Sequence, residues 1–465
     1  MPILNRATIR SVNLVVVFVI ILFKQPCCQS IIDHRKDRAM PEDKVIVISI
    51  DAAFSTDFDV LKNMKNTGRL LEGSAVIDTV ECVYPTYTYP CHASIMTGCW
   101  PERHGIYHNE LFSPEGDYAP WFFFRKYIKT ETAVDVARNH GLTTSMVSWP
   151  VMGGRNSSDW TIGEIWTRKA SDDPDSVFDE VNTPSVKHIY EKNKGLLNHM
   201  KTPEFDNFTS SCACDIIREF SPDLMFIHLS YLDHQRHKCG PEKEKVMHAF
   251  SFIDEKIGEI IKAAEEAGIF PDTTFVLLGD HGHMRVDRVF LINRVLMEKG
   301  YIRVDNGMVT DWRIMTHSTS FSGQVYLNGI SEVEAAAVLE EIKSEYPTLI
   351  ERILTTKEAE EQFHLSGPFS FVIECTDNTV ISTSLNGEII QKPQDGDYKT
   401  NISTHGFSPE KGPTPLFAVC GKRAASGTHV SKARLIDEAP TILSIFGLDM
   451  PDADGKVLQS LIKKE

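Results

Sequence analysis

The hydrophobic pattern alternates between short continuous apolar runs and longer amphipathic ones. Lys44 to Ile50 reads KVIVISI, Leu224 to Leu229 reads LMFIHL, and Thr274 to Leu278 reads TFVLL. Unbroken aliphatic runs of this length predict strands buried on both faces, as in a parallel sheet covered by helices. Ala75 to Val83 and Thr143 to Trp149 read as further strands, and Pro415 to Val419 as a late one. Between these runs the period lengthens. Asp59 to Thr67 predicts a helix closing near Gly68, Glu131 to Asn139 one stopped by Gly141, and Glu242 to Ala267 a long amphipathic helix closed by Gly268. Ser185 to Met200, Ser211 to Phe220 and Leu435 to Phe446 also read as helical. This alternation predicts the α/β class: a three-layer α/β/α sandwich around a mainly parallel central sheet.

Two stretches break the rhythm. Residues 153–185, rich in Gly, Ser, Asp and Pro with Trp160 and Trp166 embedded, read as a long surface excursion near the mouth of a site. From about Asp311 to Asp397 the texture becomes α+β. Gln324 to Leu327 alternates, Glu332 to Tyr346 is an acidic helix, and Phe369 to Cys375 with Thr379 to Leu385 read as hairpin strands. The expected layout is a leader and linker over 1–40, a catalytic α/β part over 41–310, an α+β cap insertion over 311–397, and completion of the α/β part over 398–465.

Charge narrows the function classes. The 465-residue chain carries 48 Lys and Arg against 64 Asp and Glu, a net charge of −16. No basic face for coating nucleic acid is evident. A small phosphate-bearing substrate stays compatible, because bound divalent cations invert the local charge. At the N-terminus, Arg6 and Arg10 precede an apolar run from Leu14 to Phe23, followed by Lys24. That is the shape of a signal peptide or short membrane anchor, and implies a secreted or anchored protein. A start at Met40, just before the first strand, would instead give a cytoplasmic one. The ten cysteines show no C-x-x-C pair, and Asn156, Asn207 and Asn401 open N-x-S/T sequons.

The candidate chemistry gathers at strand ends, where ligands collect in open α/β sheets. Asp51 follows the first strand, Asp233 follows the LMFIHL run with His237 four residues on, and Asp280 follows TFVLL with His281 adjacent. His405 stands in STHGFSP. Carboxylate and imidazole together suit Zn²⁺, and also Mn²⁺ or Fe²⁺. The stretch Pro85 to Gly98 reads PTYTYPCHASIMTG. Pro90 suits the first turn of a helix, which places Thr88 at a helix N-terminus. There it is either an N-cap or a hydroxyl presented to an anion.

These motifs, in this order, resemble the alkaline phosphatase superfamily and, within it, the nucleotide pyrophosphatase/phosphodiesterase (type I phosphodiesterase) branch. That branch carries P-T-x-T-[FY]-P, then T-G and H-G-I. This chain has PTYTYP, Thr97-Gly98 and HGIYHN from His104 to Asn109. The resemblance implies two divalent metal ions, usually zinc. Asp233, His237 and His405 would hold one, and Asp51, Thr88, Asp280 and His281 the other. It implies Thr88 as nucleophile, with Asn109 and the Tyr89 backbone N–H on a phosphoryl oxygen. A phosphothreonine would form and then be hydrolysed, with net retention at phosphorus. The substrate would be a nucleotide or another small phosphodiester. Departures are Cys91, where the family commonly has Asn, and Arg236, where it commonly has Gly; both leave the pocket wall open. His92, His234, His283 and His317 stand nearby without an assigned role. Other readings are a phosphonate hydrolase or phosphomonoesterase on the same scaffold, and a metal-binding interaction protein without turnover.

Overall fold

A computed structural model describes residues 43–114, 120–164, 174–198, 201–394 and 396–463. The expectations for the leader, Met40 and Trp166 lie outside these residues. The central sheet has eight strands: β1 (Lys44–Ile50), β2 (Ala75–Ile77), β3 (Thr144–Val147), β4 (Trp160–Ile162), β5 (Leu224–Leu229), β6 (Thr273–Leu278), β7 (Phe417–Gly421) and β8 (His429–Val430). Their order is β8-β2-β7-β6-β1-β5-β3-β4. The run from β6 to β4 is parallel, and β7 is antiparallel to both its neighbours. The expected mainly parallel α/β sheet is therefore present.

The pleat explains why KVIVISI is apolar throughout. Val45 and Val47 point into one hydrophobic cluster, and Ile46, Ile48 and Ile50 into another on the opposite face. The first cluster includes residues of the helix Thr88–Thr97. The second is built largely on Glu204–Phe220 and Met247–Glu266. Helices thus cover both faces.

Several local expectations differ. The helix expected over 59–67 is two helices, Phe58–Lys62 and Lys65–Leu71, so Gly68 lies within the second. The second starts where it does because Asp254 accepts hydrogen bonds from the N–H groups of Asn66 (3.0 Å) and Thr67 (2.7 Å). The run 75–83 is broken after Ile77, and a short strand Val80–Glu81 pairs with Ala433–Arg434. The expected 369–385 hairpin does not form. Phe371–Cys375 sits between Ser322–Leu327 and Ile350–Thr355 in a four-stranded antiparallel sheet, whereas Thr379–Ile381 runs parallel to Arg288–Phe290. The excursion over 153–185 contributes β4 to the sheet edge and a helix, Pro174–Val181. Among the described residues no helix is long and apolar enough to cross a membrane.

Candidate active site

The strand-end residues converge at one end of the sheet. Asp51 directly follows β1, and Asp280 and His281 stand shortly after β6. Asp233 and His237 lie one helical turn apart on Tyr231–Cys239, the helix that follows β5, with Asp233 Oδ2 3.3 Å from His237 Nε2. Thr88 is the first residue of the helix Thr88–Thr97, with Tyr87 in the N-cap position. It is therefore not the cap: its hydroxyl stands at the helix entrance, 3.1 Å from His281 Nε2.

Two groups of ligand-type atoms meet here. Asp51, Asp280 and His281 form one, with His281 Nε2 3.4 Å from Asp51 Oδ1 and 3.2 Å from Asp280 Oδ2. Asp233, His281, His283 and His405 form the other. His283 Nε2 lies 2.7 Å from Asp233 Oδ1, and His405 Nε2 lies 3.8 Å from the same oxygen. The His281 and His405 rings stack at 3.9 Å, which joins the groups. His237 donates Nδ1–H to the Ser403 carbonyl at 2.8 Å, leaving Nε2 turned toward Asp233.

The donor set fits two divalent cations. Asp51 Oδ1, Asp280 Oδ2 and His237 Nε2 are buried and make no hydrogen bond. Such orphaned atoms are costly in an apolar interior unless something charged meets them. Burial, reinforced by the charges of Asp280 and Asp233, pushes the Asp51 carboxyl well above the usual range. Burial also pushes Asp280 up to about 7 and His281 down to about 3. Three carboxylates repelling one another in a largely buried site are what a cation pair would relieve.

The glycines of both histidine motifs are required sterically. At Gly406, with φ +87°, a Cβ would lie 1.8 Å from the Thr319 carbonyl oxygen; at Gly282 one would lie 2.2 Å from that of Pro413. The Gly406 N–H donates to the Thr86 carbonyl at 2.8 Å, tying the His405 loop to the PTYTYP stretch.

Asn109 departs from expectation in detail. Its Oδ1 accepts the Tyr89 N–H at 2.9 Å, so the two groups expected on a phosphoryl oxygen are bonded to each other. Both line a cavity of about 360 Å³ with Thr88, Asp51, Asp233, His234, His237 and His405. Trp121 and Phe123, stacked at 6.1 Å and 16°, wall the same cavity.

The two departures do not line this cavity. Arg236 is fully buried, paired through Nη2 with Asp57 at 2.8 and 2.9 Å, and its guanidinium lies 3.4 Å from the Phe54 ring centroid. Cys91 Sγ packs 3.4 Å from Cys82 Sγ in the core. Trp160 stacks on Phe220 at 4.5 Å, at the edge strand rather than in the cavity. His92 donates Nδ1–H to the Thr88 carbonyl at 2.8 Å, beneath the first turn of the helix Thr88–Thr97. His317 stacks on His108 at 3.9 Å and approaches Glu110 at 3.3 Å.

Residues 45–408 match the family described as type I phosphodiesterase / nucleotide pyrophosphatase. The chain belongs to this family. Among relatives of the type I phosphodiesterases, ectonucleotide pyrophosphatase/phosphodiesterase family member 3 of Bos taurus is 26% identical over 210 residues, 43% of this chain and 20% of that protein. The human bis(5'-adenosyl)-triphosphatase is 22% identical over 263 residues, 54% of this chain and 49% of that one. The matched stretch is thus less than half the length of either relative. Murine ectonucleotide pyrophosphatase/phosphodiesterase 5, solved as an inactive threonine-to-alanine variant in complex with AMP, superposes with a TM-score of 0.66 at 16% identity, covering 90% of this chain and 100% of that one. That likeness shows the fold, which is alkaline-phosphatase-like.

His228 and Glu164 also line the cavity, and neither belongs to a motif that marks it in the sequence. His228 sits inside an apolar strand run. Burial opposes its charge, but hydrogen bonding to Asp51 and Glu164 holds it well above the usual histidine range. Its place one residue before the end of β5 is the signal that could have found it.

Proposed function

We propose that this protein is a two-metal hydrolase that cleaves phosphodiester or pyrophosphate bonds of nucleotides or related small diesters, with Thr88 as nucleophile. The observation that carries this reading is the Thr88 hydroxyl at a helix N-terminus, 3.1 Å from Nε2 of His281, the residue common to both groups of ligand-type side chains. Asp51, Thr88, Asp280 and His281 would hold one cation, and Asp233, His237 and His405 the other, with His283 beside Asp233. When bound, such cations, zinc being the best match to the donors, lower the pKa of the threonine hydroxyl and offset charge on the entering and leaving oxygens.

The remaining chemistry belongs to the chain. Thr88 Oγ1 attacks phosphorus, a phosphothreonine forms, and the bond to the leaving oxygen breaks. Asn109 and the Tyr89 N–H, both in the cavity wall, exchange their mutual bond for bonds to a phosphoryl oxygen. Water then attacks the phosphothreonine from the opposite side and restores the hydroxyl.

Diester substrates are favoured over monoesters by the cavity lining. Among the described residues it contains neither Lys nor Arg, so none of these lining side chains meets the extra charge of a monoester. The stacked Trp121 and Phe123 offer a face for a nucleobase. Residues 311–397 are read as a cap that selects the leaving group. A second cavity of about 580 Å³, lined partly by Met315 and His317, shares Trp121 and Tyr398 with the first. Export or membrane attachment through the N-terminal apolar run is part of the same proposal.

The test is hydrolysis of p-nitrophenyl thymidine monophosphate. The purified protein should turn it over, chelation should abolish turnover, and added divalent metal should restore it. Chelator-resistant activity, or none with two metals loaded, would overturn the assignment.

A further inference from the structure

Three side chains with no role as ligands or nucleophile form a line of hydrogen bonds and one ion pair in the wall of the catalytic cavity. Tyr89, next to the proposed nucleophile, donates its hydroxyl to Glu164 Oε2 at 2.6 Å. Glu164 Oε1 lies 3.4 Å from His228 Nδ1. His228 Nε2–H in turn donates to Asp51 Oδ2 at 3.1 Å. All three are buried: Tyr89 1%, Glu164 6% and His228 1% exposed.

The line closes on itself. Asp51 Oδ1 lies 3.4 Å from His281 Nε2, and the same nitrogen lies 3.1 Å from Thr88 Oγ1. Starting at Thr88, one passes through the next residue, Tyr89, to Glu164, His228 and Asp51, and returns through His281 to Thr88. The two oxygens of Asp51 are thereby distinguished. Oδ2 is tied back to His228, whereas Oδ1 is buried with no hydrogen bond. Tyr89 is held at both ends, its N–H by Asn109 and its hydroxyl by Glu164. The motif admits Phe at this position, which could not make the second bond.

We propose that Tyr89, Glu164 and His228 are positioning residues. They fix the plane of the Asp51 carboxylate so that Oδ1 faces the cation shared with Thr88, and they hold that oxygen in register with the nucleophile. The proposal rests on the two-metal reading above. A carboxylate ligand free to rotate loses binding free energy on being ordered. Groups that orient a ligand from behind commonly contribute 10- to 100-fold in metal affinity. The line spans four separate parts of the sequence: the end of β1, the start of the nucleophile helix, the chain just after β4, and β5. Glu164 follows an edge strand, and its partners, Tyr89 by hydrogen bond and His228 by ion pair, both lead toward the site.

The experiment titrates metal-free protein with Zn²⁺ by calorimetry and separately measures kcat and KM on the aryl phosphodiester as a function of Zn²⁺. The variants are Tyr89→Phe, His228→Leu and His228→Gln. Wild type should bind two cations. In His228→Leu the affinity for one should fall about 10- to 100-fold while the other is unchanged. The kcat should then need more Zn²⁺, with KM little altered. His228→Gln, which keeps a donor toward Asp51, should recover part of the loss. Tyr89→Phe, which keeps ring and volume, should shift the same cation in the same direction by a smaller factor. Two unchanged cation affinities in folded His228→Leu and Tyr89→Phe would overturn the proposal while leaving the two-metal reading standing. A wild-type protein that binds no Zn²⁺ would overturn both.

Discussion

Arg236 stands between two proposed ligands on one helix yet is turned away from them, and its role can be tested by its removal. Its Nη2 bridges both oxygens of Asp57, at 2.8 and 2.9 Å, and both side chains are buried. Asp57 also accepts the Phe54 N–H at 2.7 Å, so one carboxylate pins the turn after β1 to the helix that carries Asp233 and His237. Arg236→Leu leaves Asp57 buried without its counter-charge. Breaking such a pair from one side costs about 3–5 kcal/mol. Lost contact with the Phe54 ring, 3.4 Å away, adds about 1 kcal/mol. An overall loss of about 5 kcal/mol is therefore expected. The double variant Asp57→Leu with Arg236→Leu should recover most of it, because an apolar pair of similar volume removes the stranded charge. Burial already raises the Asp57 carboxyl, partly offset by Arg236. Without Arg236 its folded pKa rises further above the unfolded value, so Asp57 takes up a proton on acidification and the deficit should be smaller at pH 5 than at pH 8. Urea unfolding at both pH values, with a shifted midpoint at unchanged slope, reads each quantity. A cost below about 1 kcal/mol, or a double variant worse than the sum of the single ones, would refute the assignment of Arg236 as a structural counter-ion.

Two further outcomes follow from the same geometry. Burial pushes His104 down to about 3, its Nε2 pairing with Ser94 Oγ at 2.9 Å and its Nδ1 accepting the Ile106 N–H. Its folded pKa lies below its unfolded one, so the stability it contributes is complete above about pH 6.5 and is lost as pH falls toward 3. At pH 5 the loss is about 2 kcal/mol. Stability measured against pH should fall less steeply in His104→Asn than in wild type, and parallel curves would contradict this. Asn109→Ala leaves the Tyr89 N–H without its partner and removes a donor from the cavity wall; kcat on the aryl phosphodiester should fall about 10²- to 10³-fold. A kcat within about threefold of wild type would place Asn109 outside the reaction.

What is legible in the sequence is local. An apolar run ending in Asp shows a strand and its carboxyl end together, which is why the pattern alone places Asp51 and Asp280. Thr88 is legible through Pro90, which marks the helix start next to it. Partnerships between distant segments are not legible. Asp254 starts a helix 188 residues away by accepting the Asn66 N–H, and no local pattern marks that. Glu164 lies in a Gly- and Ser-rich stretch that reads as surface loop, because its strand, Trp160–Ile162, is only three residues long and gains its order from β3. His228 is hidden by the period of the strand, since one polar residue in an apolar run reads as a gap rather than a site. The false hairpin at 369–385 has the same origin: adjacent strand-like runs pair locally unless distant strands offer better partners, here Ser322–Leu327 and Arg288–Phe290.

In the proposed reaction Thr88 becomes covalently attached to the substrate's phosphorus. Metal-loaded protein mixed with p-nitrophenyl thymidine monophosphate, quenched in acid during turnover and digested, should yield a thymidylylated peptide spanning PTYTYP, with the modification on Thr88 by fragmentation mass spectrometry. The Thr88→Ala protein should show neither adduct nor turnover. An adduct on another residue, or turnover by Thr88→Ala at the wild-type rate, would contradict the account.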